Sequence, residues 1–200
     1  MSLLLGRTEF GNPAHKDNVL TIQEANALFD EWVLNPKLKL HMKQVANLMK
    51  QWAGEKMKLP SADQWKWEMA GLLHDADWDQ WPTLHCIKII EALESKNIDP
   101  EIIRAIASHG PIHFGVEPIS DMDKMLYAFD ELSGLIHAYS LMRPGGYEGM
   151  DFKGVNKRLK DKAFAANVSR DDIADACTRA NISLEELVNF IIEKQASVSL

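Results

Sequence analysis

Apolar residues recur at three- and four-residue spacing along most of the chain, and long alternating runs of apolar and polar residues are absent. This spacing places apolar side chains on one face of a helix. Residues 19–34 and 40–52 each carry a broad apolar stripe, and Pro36 separates them. The pattern predicts an all-α fold with extra helices at its C-terminal end, and the length of 200 residues makes a single domain the default expectation.

Capping residues and prolines mark the predicted helix starts. The expected starts are Ser61 with Gln64, Pro82 with Thr83, Asp99 with Pro100, Ser120 with Asp123, Ser169 with Asp172, and Ser183 with Glu186. We expect the helix that opens near Ser61 to end at His74, and the helix that opens at Ser120 to carry Asp130 in its middle.

The chain divides into three predicted parts. Residues 1–17 lack a periodic pattern and are predicted to be a loose arm, whereas residues 18–142 are predicted to form the helical core that carries the candidate metal ligands described below. Residues 143–200 are predicted to be a loop and C-terminal helices that pack on the same domain. Within them, residues 143–154 contain Pro144 and four glycines, which favours a long connecting loop and a role as a lid.

Composition narrows the class of protein. The chain is 46% hydrophobic and 26% charged, which is typical of a globular domain, and its formal net charge of -7 argues against general binding to nucleic-acid backbone or to an anionic membrane. Cys86 and Cys177 are too few for a disulfide framework, so we expect a reducing, cytoplasmic location. We find no signal-peptide core and no apolar stretch that would span a bilayer.

Histidines and aspartates are the candidate chemistry. His74 and Asp75 follow the apolar run 69–73, with His41 upstream and Asp130 downstream. Imidazole and carboxylate together bind a divalent transition metal without thiolates, and such an ion lowers the pKa of a bound water. Their types fit iron, manganese, cobalt, nickel or zinc without distinguishing them, with magnesium a further candidate. Hydrolysis is the chemistry they indicate.

Short motifs surround these residues. They are His41-Met-x-x-Val-Ala, Gly71-Leu-Leu-His-Asp, Ala105-Ile-Ala-Ser-His109 and Ala128-Phe-Asp130-Glu-Leu-Ser-Gly. In this order the chain resembles the HD-domain superfamily of metal-dependent phosphohydrolases, specifically its HDIG-like bacterial branch, over residues 40–142. The resemblance implies an HD-type helical bundle in which His41, His74, Asp75 and Asp130 hold one metal ion. In branches that bind two ions, His85 and His109 match the additional ligands.

One departure from the family pattern concerns specificity. Asp77 stands where the HDIG variant has glycine, and the acidic arrangement of the superfamily's nucleotidase branch is missing after Asp75. Asp77 and Glu68 are the candidates for proton transfer or for orienting a ligand, with a merely structural role as the alternative. His113 is a weaker candidate, and His137 lies about 10.5 Å of helical rise from Asp130, too far to share an ion.

Basic and aromatic residues could complete a substrate site. Arg104, Arg143, Lys153 and Lys157 are candidate phosphate contacts, although surface charge is their default interpretation. Trp78 and Trp81 follow the His-Asp pair and could flank a base or ring, although core or rim packing is the simpler interpretation.

The sequence thus predicts a metal-dependent phosphohydrolase that acts on a small phosphate ester, a nucleotide or a related metabolite. Three alternatives stay open: a two-metal hydrolase of dinucleoside polyphosphates or cyclic nucleotides, a non-catalytic nucleotide-sensing module, and a di-iron oxygenase. The expected partner is the small phosphorylated substrate, with no nucleic acid and no membrane. The sequence does not predict the oligomeric state.

Overall fold

The computed structural model describes residues 4–198, and all of its regular secondary structure is helical. Two short 3-10 helices, Pro13–His15 and Pro82–Leu84, accompany ten α-helices. The α-helices are α1 Ile22–Trp32, α2 Pro36–Glu55, α3 Ser61–Leu73, α4 Ile87–Ser95, α5 Pro100–Ala107, α6 Pro111–Phe114, α7 Asp121–Leu141, α8 Phe152–Lys160, α9 Arg170–Ala180 and α10 Leu184–Gln195. The described part of the chain contains no strand. The predicted all-α fold is therefore confirmed.

Helix starts follow the sequence in most places. Ser120 accepts a hydrogen bond from the Asp123 backbone, and the Asp123 carboxylate accepts one in return, so the capping box of α7 is confirmed. The box predicted at Ser61 is wrong. Pro60 is the N-cap residue there, and the Gln64 side chain donates to the Leu59 carbonyl instead. After Pro82 only a 3-10 turn forms, and α4 begins five residues later at Ile87.

The core lies where α2, α3, α5 and α7 pack together. Gly71 of α3 sits against α2 so closely that a Cβ atom added there would lie 2.8 Å from the Ala46 Cα atom. Small residues allow helix axes to approach, and the full burial of Met42, Val45 and Leu73 follows from that approach. The crossing of α2 and α3 thus sets the position of His41, near the start of α2, relative to His74, at the end of α3.

The segment predicted to be a loose arm is held by contacts from residue 4 onward. The Leu5 amide donates to the Phe114 carbonyl at 2.9 Å, and Arg7 donates to both carboxylate oxygens of Glu94. Phe10 is buried. These contacts come from individual residues without helical spacing, so the apolar pattern of the sequence does not predict them. Residues 1–3 of the predicted arm lie outside the described residues.

The C-terminal helices pack against the bundle. Helix α9 contacts α7, and α10 contacts both α2 and α7. The Gln195 amide of α10 donates to Gln44 Oε1 at 2.7 Å and to the Ser133 carbonyl at 3.1 Å. These two hydrogen bonds from one buried amide hold α10 against α2 and α7. No helix within residues 4–198 is long and apolar enough to cross a membrane.

Candidate metal centre

Separate helices bring the candidate ligands to one place. His41 lies in the second turn of α2, Asp130 lies in the middle of α7, and His74 and Asp75 directly follow α3. His85 follows the 3-10 helix, and His109 comes two residues after α5. These elements form two groups, each with ligand atoms within 4.8 Å of one another: His41, His74, Asp75 and Asp130, and Asp75, His85 and His109.

The first group has its nitrogen atoms turned toward carboxylates. His41 Nε2 lies 3.0 Å from Asp130 Oδ1, and His74 Nε2 lies 3.4 Å from the same oxygen. His74 Nε2 is also 3.5 Å from Asp75 Oδ2. Two imidazole nitrogens and two carboxylates around one point are a donor set that divalent transition metals accept.

Asp75 joins the two groups through its two oxygen atoms. Its Oδ2 faces His74, whereas its Oδ1 lies 3.3 Å from His85 Nε2 and 3.5 Å from His109 Nε2. A carboxylate that presents one oxygen to each of two donor groups has the geometry of a bridging ligand. The arrangement could therefore hold two ions with Asp75 between them.

Hydrogen bonds at the opposite ring nitrogen orient three of the histidines. His74 Nδ1 lies 2.8 Å from the Gly71 carbonyl, His109 Nδ1 lies 2.5 Å from the Ile106 carbonyl, and His85 Nδ1 lies 2.7 Å from Asp77 Oδ1. Each of these acceptors requires a proton on Nδ1. The lone pair of a neutral ring is then on Nε2, which is the arrangement found in metal-ligating histidines.

His74 Nε2 is a fully buried nitrogen without a hydrogen-bond partner. Burial lowers the pKa of this imidazole, but the charge of Asp75, followed by Asp130, outweighs burial and raises the pKa to about 9. Burial alone would raise the pKa of Asp130, but His41 and His74 hold it well below the ordinary range. The cluster thus favours a positive charge at its centre, a requirement that a cation would satisfy.

The centre opens into a cleft of about 810 Å³. His41, Asp75, His85, His109 and Asp130 line one end of it. The rings of Trp78 and Phe114 pack edge-on against His85, with centroids 4.9 Å and 5.3 Å away. These rings narrow the approach to the second group. The predicted proximity of Trp78 to the centre is therefore confirmed, and its half-exposed side chain lies at the rim of the cleft.

Asp77 lies beside the centre but not in the cleft. It is fully buried, and both its oxygens accept hydrogen bonds, Oδ1 from His85 and Oδ2 from the Ile89 amide at 3.0 Å. A carboxylate used in this way has no access to a substrate, so its predicted role in proton transfer is not supported. The alternative prediction, that Asp77 orients a ligand, agrees with the geometry.

Glu68 is not brought to the centre. It pairs with Lys50 at 2.9 Å and lines a separate depression. At about 100° per residue, six residues along an α-helix turn a side chain by about 600°, so Glu68 points about 120° away from the direction of His74. The prediction that Glu68 is a catalytic residue is therefore wrong, because its side chain points away from the centre.

None of the predicted phosphate contacts lines the cleft, nor does any part of the glycine-rich loop. Arg104 pairs with Asp123 and donates to the Glu117 carbonyl, and Arg143 donates to the Glu148 carbonyl within its own loop. The loop instead contacts α7 through Tyr147, whose hydroxyl lies 3.0 Å from His137 Nδ1. The expected lid role of residues 143–154 therefore finds no support, and His137 lies outside the cleft, as does Trp81.

The far wall of the cleft contains residues that the sequence did not single out. Tyr127, Glu131 and Gly134 share the face of α7 that carries Asp130, and Asn167, Val168 and Asp172 come from the segment around the start of α9. Burial and then Asp130 raise the pKa of Glu131 to about 8. The helical spacing of 127, 131 and 134 around Asp130 was the signal that could have identified the α7 residues. The predicted candidate His113 also lines the cleft.

No family model, curated protein or solved structure matches this chain.

Proposed function

We propose that this protein is a metal-dependent phosphohydrolase of the HD type that acts on a small phosphate ester. The observation that carries the proposal is the buried, unpartnered His74 Nε2, aimed at the point between Asp75 and Asp130. A buried nitrogen that makes no hydrogen bond is costly even with two carboxylates 3.4–3.5 Å away, and a metal ion is the partner that its three neighbours, His41, Asp75 and Asp130, would hold with it.

The candidate ligands form two groups, each of which would hold one metal ion. His41, His74 and Asp130 would hold one ion, His85 and His109 would hold the other, and the Asp75 carboxylate faces both groups. When bound, divalent ions supply Lewis acidity and lower the pKa of a water molecule, which is the chemistry that phosphate-ester hydrolysis needs. Because the shared carboxylate faces both groups, the two-metal form is favoured over a single ion.

The protein's other residues orient and shield the centre. Asp77 fixes the ring of His85, and the Gly71 and Ile106 carbonyls fix His74 and His109. Phe114 packs 5.1 Å from the His109 ring and 5.3 Å from the His85 ring, which excludes water from that side. Glu131 follows Asp130 directly in the chain and lines the same cleft.

The test combines metal analysis with turnover. Protein purified without chelator is analysed for bound metals, then stripped, reloaded with one metal at a time and incubated with a panel of phosphate esters. We expect phosphate release with at least one metal and its loss in His74→Ala and Asp75→Asn. Glu68→Gln is the matched control, because it changes a carboxylate on the same helix that faces away from the centre.

Each contrary result has a defined meaning. Full turnover in the folded His74→Ala and Asp75→Asn proteins would refute the mechanism. A bound pair of iron ions with oxygen consumption and no phosphate release would favour the oxygenase alternative. Nucleotide binding without turnover under every metal would favour the sensing alternative.

A further inference from the structure

The cleft has a charge distribution that bears on the substrate. Four carboxylates line it, those of Asp75, Asp130, Glu131 and Asp172, and none of the described residues that line it is a lysine or an arginine. Sites that bind several phosphoryl groups ordinarily use arginine, lysine or helix N-termini for the additional charge. No lysine or arginine side chain among the described lining residues supplies such charge in this cleft. The start of α9 reaches the wall, but its first turn carries Asp171 and Asp172, and its Asp172 amide donates to the Ser169 hydroxyl.

Charge balance limits what the centre can hold. Two divalent ions would carry four positive charges, of which Asp75 and Asp130 offset two. The two positive charges that remain would be offset by a phosphate monoester, which carries about two negative charges near neutral pH. Any further anionic group on the substrate would extend past the ions toward the far wall.

That wall is formed by acidic and uncharged groups. Glu131 Oε2 accepts a hydrogen bond from the Ser169 amide, and the Tyr127 hydroxyl lies 3.2 Å from Asp172 Oδ1 and 3.3 Å from Asp175 Oδ2. Whatever its protonation state, Glu131 supplies no positive charge. Carboxylates in a partly enclosed site repel an anion and accept hydrogen bonds from hydroxyl and amino groups.

Two arginines near this wall are engaged elsewhere, and one of them, Arg179, pairs with Asp175. Arg170 donates to the carbonyl oxygens of Ala165 at 2.6 Å and Val168 at 2.7 Å, and also to that of Phe164. Its guanidinium therefore holds the segment that carries Asn167 and Val168 in place and is not available to a ligand. Asn167 itself is exposed at the rim of the cleft.

We infer, resting on the function proposed above, that the cleft selects phosphate monoesters whose leaving group is neutral or cationic and carries hydroxyl or amino groups. Esters whose leaving group is anionic, including those with a second phosphoryl group, are poor substrates. This substrate class excludes dinucleoside polyphosphates and nucleoside triphosphates as preferred substrates.

The test uses a matched series of small esters. Glycerol phosphate and phosphoglycerate differ by one carboxylate, and phosphoethanolamine supplies a cationic leaving group. With the metal-loaded protein at fixed free metal concentration, we expect kcat/KM for glycerol phosphate and for phosphoethanolamine to exceed that for phosphoglycerate by about tenfold or more.

A lysine at the rim tests the electrostatic cause. Asn167→Lys places a cation at the far wall and should narrow the ratio of glycerol phosphate to phosphoglycerate at least about threefold. Asn26→Lys is the matched control, because it adds the same charge on α1, whose Asn26 lines the separate depression. The control should leave the ratio as it is in the unmodified protein.

Failure of this inference and failure of the proposed function give different results. Equal or faster turnover of phosphoglycerate by the unmodified protein would overturn the substrate class and leave the phosphohydrolase intact. If no ester is hydrolysed with any metal, the proposed function fails, and calorimetric binding of the same esters still tests the selectivity. Tighter binding of phosphoglycerate than of glycerol phosphate would then overturn it.

Discussion

Asp77 Oδ1 accepts a hydrogen bond from His85 Nδ1 at 2.7 Å while Asp77 Oδ2 accepts one from the Ile89 amide. The buried carboxylate thus connects the first turn of α4 to a candidate metal ligand. Both of its oxygens act as acceptors at once, which an amide cannot do because only one of its two polar atoms accepts a hydrogen bond.

Replacing Asp77 by asparagine should therefore loosen His85 without removing it. Either the ring or the Ile89 amide loses its acceptor, so the second group of ligands is held less well. We expect the affinity for the second metal ion to fall about 10- to 100-fold, with the first ion unaffected. Calorimetric titration of metal-free Asp77→Asn with manganese measures both steps. Unchanged binding of both ions would show that the hydrogen bond does not orient a ligand.

The two ligand groups should be separable by substitution. His85→Ala and His109→Ala each remove a ligand from one group, so we expect one tightly bound ion per chain to be lost and one to remain. Asp75→Asn replaces the carboxylate shared by the two groups with a neutral amide and should reduce metal binding by both groups. Metal analysis after dialysis against a metal-free buffer gives the stoichiometry. If His85→Ala and His109→Ala retain the metal content of the unmodified protein, the second group is not a metal site.

The centre could be predicted from the sequence to the extent that its residues follow helical rules. His41, His74 and Asp130 each lie at a position that the apolar spacing or a capping residue locates, so their helices were predicted correctly. The roles of Asp77 and Glu68 were not accessible in the same way. Asp77 contacts His85 across a turn and a 3-10 helix. Glu68 faces away from the centre and pairs with Lys50 because of its angular position on α3.

The far wall of the cleft depends on long-range packing. Asn167 and Asp172 approach Asp130 only because α9 packs on α7, and no periodic pattern predicts which helices become neighbours. The contacts of the N-terminal arm depend on long-range packing in the same way, since Arg7 donates to Glu94, which lies 87 residues further along the chain. Local rules located the helices, the family resemblance indicated which residues are the candidate ligands, and tertiary contacts determined what surrounds them.

The crossing of α2 and α3 is expected to be sensitive to one methyl group. A Cβ atom on Gly71 would lie 2.8 Å from Ala46 Cα and 2.9 Å from the Ala46 nitrogen, and backbone atoms cannot move aside individually. Gly71→Ala should lower the free energy of unfolding by about 1–3 kcal/mol. It should also weaken metal binding, because separating the helices moves His41 away from His74.

Gly134→Ala is the matched control for this substitution. Gly134 lies within α7, and an added Cβ atom would meet nothing within 4 Å. The same change should there stabilise the protein by about 0.5–1 kcal/mol, the usual difference between the two residues inside a helix. Denaturant unfolding of both variants measures the contrast. Equal effects at the two positions would show that the close approach at Ala46 does not limit the packing.

Lys66 connects three segments of the fold, and its removal should be costly. Its side chain is 8% exposed and its Nζ lies 3.0 Å from Asp99 Oδ2, with Asp17 as a second partner. Burial lowers the pKa of Lys66, but Asp17 and Asp99 outweigh it and raise the pKa above the ordinary range. Lys66→Met would leave the buried Asp99 without a cation while preserving most of the side-chain volume.

Asp99 would keep its hydrogen bonds from the Asp17 and Glu101 amides, so we expect a loss near the lower end for a broken buried pair, about 3 kcal/mol. Lys56→Met is the matched control, because Lys56 pairs with Glu186 where both side chains are exposed, and such a pair contributes about 0–1 kcal/mol. Chemical denaturation gives both values. A loss for Lys66→Met no larger than that for Lys56→Met would contradict the role of Lys66 in holding residue 17 and the start of α5 against α3.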